Sequence, residues 1–199
     1  RLFLFQQGFD VHVCGVANSK RFVLQPGVTD GTQWEEALRR SPHAFVAADL
    51  ARQVGELGLT NVALVDCTAS SDVVDSYPGF VRANMHIITP NKKANVLPWK
   101  DYQSLMELLR ERRKYFLYEA NVGAGLPIIS TLQDLIASGD AIVRIEGILS
   151  GTLSYLFNTY DGQSPFSSLV QAAHDQGFTE PDPRDDLSGQ DVARKLLIL

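Results

Sequence analysis

The chain has 199 residues, enough for one large domain or two small ones. Hydrophobic residues make up 45% of it and charged residues 21%, the balance of a globular protein that can bury a core. With 18 Lys and Arg against 23 Asp and Glu, the net charge is −5. This acidic balance argues against nucleic acid or an anionic membrane as the main partner. No apolar run approaches the roughly 20 residues of a membrane span.

Apolar runs alternate with helical patterns in the first part of the chain. Buried strands are predicted at 11–17, 61–68, 85–89 and 115–118. Helices are predicted at 34–40, 50–57, 71–81 and 102–113, the third of them interrupted by Pro78. Continuous apolar strands separated by helices are typical of a parallel sheet that is covered on both faces.

The pattern changes after Glu119. A glycine-rich connection at 121–127 leads into a predicted helix at 128–137, and the apolar/charged alternation of 142–149 predicts a strand with one solvated face. Further helices are predicted at 153–159, 166–176 and 188–199, and Ser188 is expected to cap the last one. We therefore predict two domains, 1–118 and 119–199.

Both ends of the sequence interrupt the predicted architecture. Only a helix tail at 2–7 precedes the first strand, and the last helix is still running at Leu199. We therefore expect the chain to be a fragment of a longer polypeptide. Cys14 and Cys67 lie in apolar stretches, which favours buried thiols in a reducing cytoplasm; one disulfide is the alternative.

The first predicted strand ends in cations. In dinucleotide-binding sheets the second strand normally ends in an acid that binds the ribose 2′-hydroxyl. Here Asn18 stands in that place, followed by Lys20 and Arg21, so a 2′-phosphate is the natural ligand and NADP is favoured over NAD. Solvated loop charges are the alternative. The G-x-G-x-x-G fingerprint, about 20 residues earlier, would lie just before Arg1.

Two further segments carry groups suited to chemistry. Lys92 and Lys93 follow the third predicted strand, where a lysine can pair with phosphate or a carboxylate, although paired lysines are also typical of a solvated loop. In the acidic segment 177–195, two prolines restrict the backbone that carries the acids. Asp191 and Lys195 stand at i and i+4 on the following helix, where the carboxylate can orient the ammonium. A surface ion pair is the alternative.

Six segments carry a family resemblance. They are Cys-Gly-Val-Ala-Asn-Ser at 14–19, Val-Asp-Cys-Thr at 65–68, Thr-Pro-Asn-Lys-Lys-Ala-Asn at 89–95, Asn-Val-Gly-Ala-Gly-Leu-Pro at 121–127, Gly-Ile-Leu-Ser-Gly-Thr-Leu-Ser at 147–154, and the whole of 177–195. The most specific is the last, with Glu-Pro-Asp-Pro-Arg-Asp-Asp followed by Asp-Val-Ala-Arg-Lys. Through these segments the sequence resembles homoserine dehydrogenase, particularly the dehydrogenase part of the bifunctional aspartokinase–homoserine dehydrogenases.

The resemblance implies a fold and a reaction. The fold is α/β, an incomplete Rossmann-like parallel-sheet domain followed by an α/β catalytic domain. The reaction is the NAD(P)-dependent interconversion of L-aspartate 4-semialdehyde and L-homoserine, in threonine and methionine biosynthesis. Lys195 matches the catalytic lysine, which exchanges a proton with the substrate oxygen, and Asp191 matches the acid that binds substrate and orients it. Glu180 matches the substrate-binding carboxylate, with Asp185 nearby.

The resemblance also implies bound cofactors. Lys93 matches a lysine at the junction of cofactor and substrate, and Thr68 and Gly177 match cofactor contacts beside Asn18, Lys20 and Arg21. A monovalent cation, usually sodium, is implied on backbone oxygens at Glu119, Val122, Ala124 and Leu126. Gly123 and Gly125 would let those carbonyls converge, and a plain tight turn is the alternative.

The resemblance further implies a homo-oligomer, either a dimer or a tetramer, acting on a small-molecule substrate and fused to an aspartokinase. Two other functions stay open at this point. One is a non-catalytic regulatory or assembly module, which the missing glycine loop supports. The other is an NADP-linked aldehyde dehydrogenase that uses Cys67 as a thioester nucleophile, although no histidine is placed in sequence to activate it.

Overall fold

The computed structural model describes residues 7–25 and 33–199, and its first element is a β-hairpin. Strands β1 (Gly15–Ala17) and β2 (Phe22–Leu24) pair antiparallel. The side-chain Oδ1 of Asn18 accepts hydrogen bonds from the backbone N–H groups of Lys20 and Arg21, at 2.8 and 2.9 Å. An asparagine in this role turns the chain back on itself. The buried parallel strand predicted at 11–17 is therefore wrong: three of its residues form a largely exposed hairpin strand.

Three short parallel strands form the predicted sheet. They are β3 (Ala63–Val65), β4 (His86–Ile88) and β5 (Phe116–Leu117). β4 is the central strand and pairs with both neighbours in parallel. The predictions at 61–68, 85–89 and 115–118 are confirmed in position, and each strand is shorter than its apolar run.

Helices connect and cover these strands. They are α1 (Trp34–Arg40), α2 (Ala47–Glu56), α3 (Ser71–Asp75), α4 (Tyr77–Arg82) and α5 (Trp99–Glu111). The break predicted at Pro78 is confirmed, because one helix ends at Asp75 and the next begins at Tyr77. Pro78 lies in the first turn of α4, where backbone N–H groups make no bond within the helix, so its lack of an N–H costs nothing. The 3₁₀ helices Lys92–Val96 and Glu119–Asn121 follow β4 and β5.

The main core lies between the parallel sheet and its helices. Tyr77 and Phe80 of α4 and Ile87 of β4 are at most 1% exposed, and residues of α2 and α5 pack around them. Phe22 brings the hairpin into the same core. Burial of such side chains contributes roughly 1.5–3 kcal/mol each, which holds the sheet and the loops at its edge in place.

The second part of the chain is helical. Its helices are α6 (Ile128–Ala137), α7 (Gly151–Thr159), α8 (Phe166–Asp175), α9 (Pro183–Leu187) and α10 (Gln190–Ile198). α9 was not predicted, although Asp182 caps it through a hydrogen bond from Arg184 N and Pro183 opens it. The predicted cap of α10 is wrong: Gly189, with φ of 74°, precedes that helix, and Ser188 ends α9.

The strand predicted at 142–149 is also wrong. In the described part of the chain no strand pairs with this segment, and Val143 and Ile148 are 94% and 82% exposed. A strand needs a neighbour to accept and donate its ladder hydrogen bonds, so alternation alone does not produce one. The cysteines differ from expectation too: both are free thiols, Cys14 half-buried and Cys67 exposed. Within 7–25 and 33–199, no helix is both long enough and apolar enough to cross a membrane.

Two glycines of the turn before α6 provide a matched test of backbone strain. Gly123 has φ of 79°, and a Cβ there would collide with the Ile128 side chain, whereas Gly125 has open space around it. We expect Gly123→Ala to lower the free energy of unfolding by about 2 kcal/mol and Gly125→Ala to leave it nearly unchanged. Urea unfolding of both variants checks this; equal midpoints would contradict it.

Candidate active site

A buried carboxylate binds two lysines at the center of the site. Asp191, in the first turn of α10, has a side chain only 4% exposed. Its Oδ2 lies 2.6 Å from Nζ of Lys195, and its Oδ1 lies 3.1 Å from Nζ of Lys92. The i, i+4 pair expected from the sequence is therefore present, and it is buried rather than a surface pair.

Lys92 joins the two parts of the chain. It opens the 3₁₀ helix after β4, and its Nζ also lies 3.3 Å from Oε1 of Glu180. Lys93, the lysine expected at the junction, instead donates from Nζ to Oγ of Ser71 at 3.0 Å. Successive residues of a 3₁₀ helix point about 120° apart, so only one of two adjacent lysines can face the carboxylates. Sequence spacing identified the pair but not which member faces inward.

The ammonium of Lys195 has a second protein partner. It donates to the backbone oxygen of Leu149 at 2.8 Å, while its side chain is 17% exposed. An ammonium carries three N–H groups. Among the described residues, Asp191 and Leu149 accept two of them. The third N–H remains for another oxygen, and its direction is set by the two bonds already made.

The charges around Asp191 shift two pKa values in opposite directions. Burial alone would raise the pKa of Asp191, but hydrogen bonds from Lys195 and Lys92 outweigh it and lower this pKa. Burial alone would lower the pKa of Lys92, but the hydrogen bond and charge of Asp191, together with Glu180, raise it. Both shifts favour the ion pair over its neutral form.

Adjacent acids of α9 have different positions. Asp186 is buried, and its Oδ2 accepts a hydrogen bond from the backbone N–H of Glu180 at 2.8 Å, which holds the loop that carries Glu180. The predicted Asp185 instead lies 3.5 Å from Nη1 of Arg194. Asp186 was missed because neighbouring helical residues differ by about 100° in direction, and the sequence does not show which one faces inward.

The residues predicted to select NADP lie on the hairpin turn. The Nη1 of Arg21 donates to the backbone oxygens of Arg39 and Ser41, at 2.6 and 3.0 Å, and so satisfies carbonyls at the end of α1. Lys20 is exposed, and Asn18 makes the turn with its side chain. The structure therefore separates the two cations: one binds the protein and the other faces solvent.

Two other predicted cofactor contacts lie in turns. Thr68 is exposed beyond the carboxyl end of β3, and its Oγ1 accepts from the backbone N–H of Ser70 at 3.1 Å. Gly177 has φ of 74° and ends α8, with its N–H bonded to the oxygen of His174 at 2.9 Å. A left-handed residue at the end of a helix is usually glycine, so the helix end by itself explains a glycine at position 177.

The four predicted cation ligands lie in or beside the turn before α6. The carboxylate of Glu119 accepts hydrogen bonds from the backbone N–H groups of Ile129 and Ser130, both at 2.9 Å, and so caps that helix. Ala124 has φ of 52°, next to Gly123 at 79°, so the chain curls tightly here. The other two residues of the set are Val122, which is buried, and Leu126, which is exposed.

Two protein-family models match this chain. A model described as "Homoserine dehydrogenase, NAD binding domain" matches residues 2–119, and a model described as "Homoserine dehydrogenase" matches residues 127–199. The chain belongs to the homoserine dehydrogenase family. The family resemblance expected from the six segments is thus confirmed.

Similar proteins extend beyond this chain in length. A bifunctional aspartokinase/homoserine dehydrogenase 2, chloroplastic, from Arabidopsis thaliana is 49% identical over 191 residues, which are 96% of this chain and 21% of that protein. A homoserine dehydrogenase from Schizosaccharomyces pombe is 52% identical over 141 residues, 68% of this chain and 38% of that protein. The chain thus spans about a fifth of the length of the Arabidopsis relative.

A solved structure supports the fold. The homoserine dehydrogenase from Thermoplasma acidophilum superposes with a TM-score of 0.70 at 28% identity, covering 96% of this chain and 59% of that one. Together with the parallel sheet β3–β4–β5, this confirms the α/β class and the Rossmann-like character of the first part.

The buried ion pairs predict how stability depends on pH. Because the pKa of Asp191 is below its ordinary 3.8 in the folded protein, its stabilising contribution is complete above 3.8 and is lost as the pH falls through the folded value. We expect Asp191→Asn to lower the free energy of unfolding by about 3 kcal/mol at neutral pH, since two lysines lose their carboxylate. The difference from the unaltered protein should shrink below pH 3.8.

Urea unfolding across the acid range measures this difference. Glu107→Gln, which removes an exposed carboxylate from α5, is the control and should change stability little at any pH. A constant difference between Asp191→Asn and the unaltered protein across the acid range would show that the charge of Asp191 is not what stabilises the cluster.

Proposed function

We propose that this chain is the catalytic region of a homoserine dehydrogenase, interconverting L-aspartate 4-semialdehyde and L-homoserine with NADP or NAD. The observation that carries the proposal is the cluster in which buried Asp191 binds Lys195 and Lys92, and Lys92 binds Glu180. The cluster joins the loop after β4 to α10, so groups for catalysis and substrate binding meet beside the nucleotide-binding sheet. Membership of the family supports this assignment.

Each member of the cluster has a chemical task in the proposal. Reduction of the aldehyde needs a proton at its oxygen, and Lys195 has one N–H beyond its bonds to Asp191 and Leu149. Lys195 therefore donates this proton in reduction and accepts it in oxidation. Asp191 holds the ammonium in place, and Glu180 offers a carboxylate to the amino group of the substrate. Lys92, the member of the lysine pair to which the resemblance gave no role, ties these two carboxylates together.

The edge of the sheet fits a nicotinamide dinucleotide. Ligands of parallel sheets bind beyond the carboxyl ends of the strands, and exposed Thr68 lies there after β3. Lys93 lies at the same edge, bonded to Ser71 at the start of α3. Thr68, Lys93, Gly177 and the hairpin turn would hold the cofactor, which supplies or accepts the hydride when bound.

The cation belongs to the same proposal. Among the described residues, no group of three His, Cys, Asp or Glu side chains could hold a metal. The cation that the family resemblance implies would instead bind backbone oxygens in the turn before α6, which suits a hard monovalent ion such as sodium. The consecutive left-handed residues Gly123 and Ala124 support this assignment to Glu119, Val122, Ala124 and Leu126, because they curl the backbone there.

The assembly is proposed on the same grounds. The Arabidopsis relative is named as bifunctional, so the proposal includes fusion to an aspartokinase. The dimer or tetramer in the proposal comes from the family resemblance alone. A cytoplasmic location stays a prediction, since that relative is named chloroplastic.

The role of Lys195 is tested by its removal from the full-length protein. Lys195→Ala should lower kcat for homoserine oxidation by about 10²–10⁴-fold, because the proton then has no positioned acceptor. Lys100→Ala, which removes an exposed lysine of α5, is the control and should keep full activity. Absorbance of the reduced nicotinamide measures both rates.

Two results would count against the proposal in different ways. A kcat for Lys195→Ala close to that of the control would remove the catalytic assignment but keep the reaction. If the unaltered protein oxidises no homoserine with either cofactor, the function itself is wrong and a non-catalytic module is favoured.

The two cations of the hairpin should differ in cofactor selection. Lys20→Ala should raise KM for NADP about tenfold and leave KM for NAD nearly unchanged, because a solvent-facing ammonium can reach a 2′-phosphate. Arg21→Ala should mainly lower Tm, since it frees the carbonyls of Arg39 and Ser41, at a cost of about 1–2 kcal/mol. Initial rates with each cofactor and thermal melting separate the effects. Equal changes in both KM values for Lys20→Ala would refute the 2′-phosphate role.

A further inference from the structure

A buried polar network lies behind the lysine loop, outside the cluster already described. It consists of Asp66, which follows β3, Tyr77 of α4, and Thr89 and Asn91, which follow β4. All four residues are at most 4% exposed and lie beside the apolar core. Polar groups buried this deeply need partners, and these four supply them to one another.

The carboxylate of Asp66 is the center of this buried polar network. Its Oδ1 accepts from the backbone N–H of Thr68 at 2.8 Å. Its Oδ2 accepts from the hydroxyl of Tyr77 at 2.6 Å and from Nδ2 of Asn91 at 3.2 Å. Burial and the hydrogen bond to Asp66 raise the pKa of Tyr77, so its hydroxyl stays a donor.

Thr89 connects the strand ends to the loop. Its Oγ1 donates to the backbone oxygen of Asp66 at 2.9 Å and accepts from the backbone N–H of Asn91 at 2.9 Å. The first bond ties the residue after β4 to the residue after β3, and the second ties Thr89 to Asn91 two positions later. Together they fix the path of the chain as it leaves β4.

Asn91 carries the network to the lysines. Its Nδ2 donates to Asp66 and also to the backbone oxygen of Ser70 at 3.0 Å, while its Oδ1 accepts from the backbone N–H of Lys93 at 3.2 Å. Asn91 is therefore the N-cap of the 3₁₀ helix that begins at Lys92. Both N–H groups and the oxygen of the Asn91 amide are therefore hydrogen-bonded. They fix Asn91 and the backbone of Lys93, which are the residues on either side of Lys92.

We propose that this buried polar network positions Lys92, so that its ammonium meets the carboxylates of Asp191 and Glu180, and that Asp66 and Asn91 are positioning residues for the reaction. This inference rests on the proposed function for its kinetic consequence. Neither residue touches the cluster; each acts through the start of the 3₁₀ helix.

Geometry distinguishes positioning from simple structural support. Lys92 reaches two carboxylates, at 3.1 and 3.3 Å, from a long side chain anchored one residue beyond Asn91. A small rotation of the loop would break both contacts, and a misplacement of about 1 Å in an active site can cost about 100-fold in rate. A buried carboxylate is also expensive compared with apolar packing, so a network whose only task is stability has little reason to contain Asp66.

The kinetic test compares two variants of the full-length protein, each of which loses a buried side chain that makes hydrogen bonds. Asn91→Ala removes the N-cap of the lysine loop. Ser41→Ala removes a buried hydroxyl that donates to the oxygen of Phe22, and it is the control. Both should lower Tm, but only Asn91→Ala should lower kcat for homoserine oxidation, by about tenfold or more.

A double-mutant cycle shows whether Asn91 acts through Lys92. In a Lys92→Met background, Asn91→Ala should cause little further loss of kcat, because the positioned group is already absent. Losses that multiply would overturn the proposal, since they would mean that Asn91 acts independently of Lys92.

A chemical test needs no activity. Acetic anhydride labels lysine amines, and mass spectrometry gives the rate at each site. Asn91→Ala should free Lys92 from its carboxylates and speed its labelling relative to Lys100, by about tenfold for each unit that its pKa falls. Ser41→Ala should leave that ratio unchanged.

The activity assay and the labelling experiment can give negative results independently of each other. If the unaltered protein oxidises no homoserine, the proposed function is wrong, and the labelling ratio still decides whether Asn91 positions Lys92. If Asn91→Ala labels Lys92 no faster than the control does, the positioning inference is overturned, whatever the enzyme's activity.

Discussion

The carboxylate of Asp191 is the constraint on which the site depends. A charge buried to 4% exposure is strongly unfavourable unless it is paired, and Asp191 meets this requirement with two ammonium groups, those of Lys195 and Lys92. One comes from its own helix and one from the loop after β4. The fold of the second part is therefore coupled to the first through Lys92, and so is the chemistry proposed for Lys195.

The parallel sheet explains why such a coupling forms at this place. Parallel strands bring their carboxyl ends to one edge, so the residues after β3 and β4 lie side by side. Asp66 and Thr89 use this neighbourhood to bond one another, and Asn91 transmits the constraint to the lysine loop. The same edge thus contains a buried network, which bonds the strand ends to the lysine loop, and an exposed surface at Thr68, where we propose that the cofactor binds.

Local patterns predicted most elements, and the failures came from turn and cap side chains as well as from a missing distant partner. The amphipathic helices and apolar strands could be found because their periodicity reflects a single buried face. The hairpin at β1 was missed because the turn depends on the side chain of Asn18, and 142–149 formed no strand because alternation does not supply a pairing partner. The helix α9 was missed although Asp182 and Pro183 are ordinary helix-start residues.

What the sequence alone determined was the i, i+4 relation of Asp191 and Lys195, since helix geometry places such residues on one face whatever surrounds them. It also determined the family, through motifs that span nearly the whole chain. Only the tertiary structure decided that Lys92 rather than Lys93 meets the carboxylates, that Asp186 rather than Asp185 holds the Glu180 loop, and that Arg21 binds the end of α1. Adjacent residues are equivalent in a linear pattern, and they become different when packing assigns one to the interior and the other to solvent.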